Sequence, residues 1–320
     1  MKKFACLFAT LGVMLSLIVT GCGSSNAGKG QDQPMKIGVV VKALNSDYWK
    51  MVEHGAKAAG EKYGVNVIVL GPNAETDVTG QISMIEDLVT KKVNALVVAP
   101  SQASSAIPVF NKAKENKIPV ILADTDADWN DKVSFVGTGN YNGGKLAGEY
   151  LAKKLGQNAK IVILRGALGD PTHDERANGC IDALKAAGLE VVAIQPANSE
   201  RAMAVTVIEN IIQSGQPFAG VFATNDEMAL GAEQAFKVAQ IKAPIVGFDG
   251  SMDALTSIQA GELNGTIAQS PYNIGFKGVE AAIKAAKGET VENRIDTGTD
   301  VINSDNVTQK TDEIKKLLGK

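Results

Sequence analysis

Polar residues able to grip hydroxyl groups recur in this 320-residue chain at one kind of position, immediately after short apolar runs. Asp124, Thr125 and Asp126 follow the run 120–123, Asn225 and Asp226 follow 220–223, Asp249 and Gly250 follow 245–248, and Gln269 follows 265–268. Carboxylates accept from neighbouring hydroxyls, and side-chain amides both donate and accept, which suits a vicinal diol. Asp and Asn are also favoured helix N-caps, so each position has a second reading; the repetition at four run ends favours binding. After the first run, 37–41, comes Lys42-Ala43-Leu44-Asn45-Ser46-Asp47-Tyr48-Trp49. With five Tyr and two Trp in the chain, the adjacent pair Tyr48 and Trp49 is informative. It either covers the flat C–H face of a sugar-like ring or packs into the core at a helix start. Arg176 closes the stretch GALGDPTHDER, 166–176. It either presents a planar set of donors to ring and hydroxyl oxygens or makes an exposed ion pair with Glu175 or Asp174.

Other chemistries find less support. GNYNGGK, 139–145, nearly spells a phosphate-binding loop, but Leu146 stands where Ser or Thr would hold magnesium. The two histidines, His54 inside an amphipathic stretch and His173 in a turn, are far apart. No G-x-S-x-G elbow marks a nucleophile, and no zinc-ligand cluster is present. An enzyme is therefore not expected, nor a metal or other cofactor. A net charge of −3 and a pI near 5.6 give no basic footprint for nucleic acid.

The elements that must position these residues are regular. Apolar runs at 37–41, 67–70, 95–99, 120–123, 133–137, 161–164, 191–194, 220–223, 245–248 and 265–268 read as strands. Helical patterns such as 49–63, 77–90, 104–116, 144–155, 174–187 and 202–213 lie between them. Continuous Val/Ile runs separated by helices imply parallel strands buried on both faces, a doubly wound α/β architecture. Ten such units exceed one sheet, and TGNYNG at 138–143 interrupts the pattern, so two lobes are expected with a boundary there. In open parallel sheets the ligand site lies beyond the C-terminal strand ends.

The N-terminus sets the compartment. Lys2 and Lys3 precede a nearly continuous apolar stretch, 4–20, the architecture of a secretory signal. The apolar core is short for a membrane span, and Val19-Thr20-Gly21-Cys22 resembles the bacterial lipobox, in which the cysteine carries lipid; an uncleaved anchor helix is the other reading. GSSNAGKGQDQP, 23–34, has the composition of a flexible tether. With Cys6 in the signal and Cys22 lipidated, Cys180 is left alone, so no intramolecular disulfide is expected.

At the strand ends the chain resembles the ribose- and allose-type periplasmic binding proteins, whose fold is shared by the sensor part of lactose-repressor-like regulators. The likeness runs from Lys36 to about Val301. It is carried by 42–49, 143–148, 195–197, VFATNDEMALG at 221–231, VGFDG at 246–250 and TIAQ at 266–269. The resemblance implies ligand contacts from Lys42, Ser46, Tyr48, Trp49, Asp124, Arg176, Asn225, Asp249 and Gln269, with Lys42 and Trp49 nearer the allose type. Thr125 stands where ribose binders carry arginine, and Ser199 where relatives place a second stacking aromatic, which points to a one-sided aromatic clamp. The resemblance further implies a type I periplasmic binding fold whose three-segment hinge crosses near Thr138, Gln269 and Thr297. The chain then divides into a signal peptide (1–21), a lipidated tether (22–35), an N-terminal lobe (36–138 plus 270–297) and a C-terminal lobe (139–269 plus 298–320). The implied function is that of a monomeric extracytoplasmic lipoprotein, membrane-bound through its lipid, capturing a monosaccharide or polyol for an ABC transporter permease. A sensor subunit that presents the closed form to a chemoreceptor or histidine kinase is the alternative.

Overall fold

The computed structural model describes residues 34–318. The signal segment 1–21, Cys22 and the tether up to residue 33 lie outside the described residues. Among those described, no helix is long and apolar enough to cross a membrane.

Strands and helices alternate along most of the chain. The first part contains β1 (Lys36–Val40), α1 (Asp47–Tyr63), β2 (Asn66–Leu70), α2 (Val78–Thr90), β3 (Ala95–Val98), α3 (Ala103–Glu115), β4 (Val120–Ala123) and β5 (Ser134–Gly137). There follow α4 (Asn140–Leu155), β6 (Lys160–Arg165), α5 (Pro171–Ala186), β7 (Glu190–Pro196), α6 (Arg201–Gln213), β8 (Gly220–Ala223) and α7 (Asp226–Ala239). The chain continues through β9 (Ile245–Asp249), α8 (Met252–Gln259), β10 (Gly265–Ala268) and α9 (Pro271–Ala286), and closes with β11 (Arg294–Asp296), β12 (Asp300–Ile302) and α10 (Val307–Leu317).

Two six-stranded sheets result, ordered β11-β5-β4-β3-β1-β2 and β12-β10-β9-β8-β6-β7. Every pairing is parallel except β10 with β12. Alternate side chains of a strand point to opposite faces, and here each face meets its own core. Ile37 and Val39 of β1 join one cluster with Ile121 and Val136, whereas Val40 joins another with Leu88, Phe110 and Leu122. In the second sheet Val162 and Leu164 of β6 face Ile208 and Met228, while Ile161 and Ile163 face Leu151 and Leu184. Burial on both faces explains why these strands read as unbroken Val/Ile runs rather than alternating patterns.

The ten apolar runs are all strands, with ends shifted by a residue or two. Three features differ from the sequence reading. TGNYNG does not interrupt the pattern, because α4 begins at Asn140 with Gly139 as its N-cap, so the stretch that nearly spells a phosphate loop forms the first turns of a helix. Its glycines permit close packing: a Cβ at Gly144 would collide with the Arg176 carbonyl, and one at Gly179 with the Tyr141 carbonyl. Second, α5 begins at Pro171, capped by the Asp170 side chain, which puts His173 in a helix rather than a turn. Third, β11 and β12 were not expected; each has three residues and includes charged side chains.

Candidate functional site

A cleft runs between the C-terminal strand ends of the two sheets. The cavity it encloses is small, about 30 Å³. Lys42, Ser46, Tyr48 and Trp49 of the β1–α1 segment line it together with Asp124 after β4, facing Arg176, Asn225 and Asp249 from the other sheet. Eight of the nine candidate residues thus meet at one place.

The alternative readings resolve position by position. Tyr48 and Trp49 are buried at the start of α1, with rings 5.0 Å apart and nearly perpendicular, and they belong to the core as well as to the cavity wall. Arg176 is not an exposed ion-pair residue; it is 3% exposed. Its Nε donates to Asn140 Oδ1 (2.9 Å) and its Nη1 to the Thr224 carbonyl (2.9 Å), with Asp249 Oδ1 at 3.4 Å. Its guanidinium carbon lies 3.9 Å from the centre of the Phe248 ring, within cation–π range. Asn225 does both jobs: its Oδ1 caps α7 through Met228 N (2.9 Å) while the residue lines the cavity. Asp249 is not the N-cap of α8, which is Ser251.

Gln269, the ninth candidate, sits beside Tyr48 and Asp249 at the edge of this wall. Its Oε1 accepts from Thr138 Oγ1 (2.7 Å) and lies 3.3 Å from Tyr48 OH, and its Nε2 donates to Asp249 Oδ1 (2.7 Å). With both polar ends engaged, it ties together Tyr48 of one sheet's wall and Asp249 of the other's.

Several wall residues escaped the sequence reading. Glu75, in the β2–α2 loop, accepts from Trp49 Nε1 (2.7 Å). His173 sits on α5 with Nδ1 2.7 Å from Thr224 Oγ1 and Nε2 3.0 Å from Ser199 Oγ. Its Nε2 is also 3.7 Å from Asp170 and 4.0 Å from Glu75. Asp170 binds the Lys42 ammonium across the cleft, and Thr125 Oγ1 meets Thr172 Oγ1 at 2.8 Å. The two walls are therefore in direct contact. Glu75, Asp170 and His173 are metal-capable side chains with ligand atoms within 4.8 Å of one another. The Lys42 ammonium already serves as the cation on Asp170.

Burial governs the electrostatics. It pulls the Lys42 ammonium down, but Asp170, Asp124 and Glu75 together outweigh it and leave Lys42 above its usual range. Burial lifts the Tyr48 hydroxyl well up, helped by Asp124, whose Oδ2 accepts its proton at 2.5 Å. Burial would also raise Glu75, yet His173 and Lys42 hold it at about 2. Asp226, which accepts from Thr266 Oγ1 (2.7 Å) and Ser251 N (2.7 Å), is pushed by burial up to about 6. Burial also lifts Asp249 well above the carboxylate range, against the pull of Arg176 and with the push of Asp226.

The backbone is bent to suit. Asp124 (φ 61°), Ser199 (φ 63°) and Asp249 (φ 128°) adopt positive φ without being glycine. Such positions cost on the order of 1–3 kcal/mol each and cluster at ligand clamps.

The fold and cleft have counterparts among known proteins. Residues 37–290 match the family model described as periplasmic binding protein domain. The ribose import binding protein of Haemophilus influenzae is 35% identical over 292 residues, covering 91% of this chain and 98% of the relative. A carbohydrate transporter solute binding protein from Agrobacterium radiobacter, solved with D-arabinose, superposes with TM-score 0.83 at 32% identity, covering 88% of this chain and 99% of its own. One from Agrobacterium vitis, solved with D-fucose, gives TM-score 0.82 at 32% identity over 85% of this chain and 96% of its own. The chain belongs to the periplasmic binding protein family, extracytoplasmic solute receptors of the two-lobed type I fold that bind their ligand without transforming it.

Proposed function

We propose that the chain captures a monosaccharide or related polyol between two lobes and delivers it to an ABC transporter permease while anchored to the membrane through lipid on Cys22. The observation that carries this reading is the composition of the cleft. One wall carries an aromatic pair, both walls carry fixed planar donors and acceptors, and the residues come from two sheets. An aromatic face covers ring C–H groups, while Asp124, Arg176, Asn225 and Asp249 address hydroxyls. Lys42, Ser46, Tyr48, Trp49 and Gln269 complete the ligand contacts, and Gln269 also links Tyr48 to Asp249.

The moving bodies would be 36–138 plus 270–297 and 139–269 plus 298–320, joined where the chain passes between sheets after β5, after β10 and between β11 and β12. A ligand touching both walls stabilises only the closed arrangement, so binding shifts a hinge equilibrium and marks the loaded protein for the permease. The relatives' ligands, ribose, arabinose and fucose by their descriptions, define a class and leave the individual sugar open. Calorimetric titration of ligand-free protein with pentoses, hexoses and inositols tests the reading. Micromolar or tighter binding of at least one is expected, and silence across the panel from folded protein overturns it.

A further inference from the structure

The cavity and its immediate shell are short of positive charge. Five carboxylates, Glu75, Asp124, Asp170, Asp226 and Asp249, converge there against two permanent cations, Lys42 and Arg176, and the lining adds Glu200 and Glu227, the latter paired with Arg201. Each of the five is largely buried, Asp170 and Asp226 almost wholly so. Both cations are committed: Lys42 lies on Asp170 with Asp124 at 3.6 Å, and Arg176 is shared among Asn140, Thr224 and Asp249. A protonated His173 would still leave the carboxylates in excess. Buried charge without compensation is costly; burial pushes both Asp226 and Asp249 upward, and at Asp249 the neighbouring Asp226 and Asp124 add to that push against the pull of Arg176, so a further cation beside Asp249 would favour its ionised form. The hydrogen-bond inventory agrees. Asp249 Oδ1 takes Gln269 and Arg176, but Oδ2 has only the Asp226 amide at 3.5 Å, which leaves a strong acceptor facing the cavity under-supplied with donors.

We infer that the ligand of this cleft is an amino-polyol, an amino sugar or aminocyclitol whose ammonium group supplies the missing positive charge beside Asp249. This deepens the polyol reading above and rests on it. An ammonium donates up to three hydrogen bonds and pairs with carboxylates far more strongly in a desolvated cleft than in water. A neutral hydroxyl at that place donates one bond and no charge. An acidic sugar would add to the excess and be rejected.

Calorimetric titration of the ligand-free protein with matched pairs tests this: D-glucosamine against D-glucose, D-galactosamine against D-galactose, and an amino-inositol against myo-inositol. The titrations are run at about pH 6.5, below the ordinary range of an amine. At least one amine is expected to bind tenfold or more tightly than its neutral parent, its N-acetyl form to lose that gain, and D-glucuronate not to bind. Glu75→Gln, checked for folding by its melting curve, is expected to shrink the amine-to-neutral affinity ratio about tenfold. Equal or tighter binding of the neutral parents, retention of the gain on N-acetylation, or binding of the glucuronate overturns the inference while leaving the polyol reading standing. Binding of nothing from either series sinks both.

Discussion

The two lobes are built on the same strand plan, yet they present different chemistry to the cleft. Each sheet has its first strand flanked by its second and third, with the fourth, the fifth and a late short strand beyond; the late strand is parallel in one sheet and antiparallel in the other. Even the helix packing repeats. Gly55 and Gly275 bring α1 against α9 as Gly144 and Gly179 bring α4 against α5. The N-terminal wall carries the aromatic pair and Lys42. The C-terminal wall carries Arg176, His173, Ser199, Asn225 and Asp249, with its aromatic ring, Phe248, placed behind the guanidinium rather than toward the cavity. The architecture fixes where the loops meet, and the loop residues alone decide what they recognise.

If the C-terminal wall supplies directed polar recognition and the N-terminal wall apolar cover, the largest loss should come from the former. Asp249→Ala removes an acceptor and leaves Arg176 buried with neutral partners only. Breaking one side of a buried pair costs about 3–5 kcal/mol, so calorimetry should register a loss of affinity of several hundredfold or more with the melting curve still cooperative. Trp49→Ala should cost less, about 10–100-fold, since it removes ring cover while releasing Glu75 from one hydrogen bond. A Trp49 effect exceeding that of Asp249 would reverse the assignment of roles.

The contact between walls offers a third test. Asp170→Asn weakens the Lys42 pairing across the cleft but leaves Asp124 at 3.6 Å to hold the ammonium. An affinity loss of about tenfold is expected. Small-angle scattering should show a smaller closed fraction at subsaturating ligand.

Proton linkage distinguishes the walls as well. Glu75, on the N-terminal side, is held at about 2 against an ordinary 4.5, so the folded state binds its proton less readily than the unfolded chain. Its stabilisation is present above pH 4.5 and is lost as pH falls toward 2, on the order of 3 kcal/mol at most. Asp226, on the C-terminal side, is raised to about 6 from 3.8, and the sign reverses: the folded state holds the proton more tightly, so stability declines as pH rises from about 4 through 6. Chemical denaturation at several pH values should show Glu75→Gln flattening the acid limb and Asp226→Asn flattening the limb near pH 6.

Much of this was legible from residue order. The fold class followed from Val/Ile runs because double-sided burial leaves no polar alternation in β1, β3, β4 or β8. The cleft residues followed from asking what comes after each strand. Glu75 escaped that rule because Gly71-Pro72-Asn73-Ala74 separate it from the end of β2. Pro171 with Asp170 before it signals a helix start, which would have placed Thr172, His173 and Arg176 together on the first turns of α5. For Gln269, position after a strand does not reveal how the side chain is shared between the cavity and its neighbours; here its Oε1 turns toward Thr138. The strands β11 and β12 left no signal, since three residues of edge strand carry no periodicity.

The smallest effect should come from a change in the C-terminal lobe that misses its wall. Cys180 is the one free cysteine among the described residues, fully buried on α5 against α4, and burial raises its thiol far above the usual range. A thiolate is the reactive form, so the native protein should resist thiol reagents and become labelled only on unfolding. Cys180→Ala deletes one sulfur from a packed helix contact, worth about 1 kcal/mol or less by analogy with small core truncations, and should leave ligand affinity within twofold. A larger change in affinity would mean that the α4–α5 packing itself sets the position of Arg176, whose carbonyl leaves no room for a Cβ at Gly144, and the division between scaffold and wall would have to be redrawn one helix deeper.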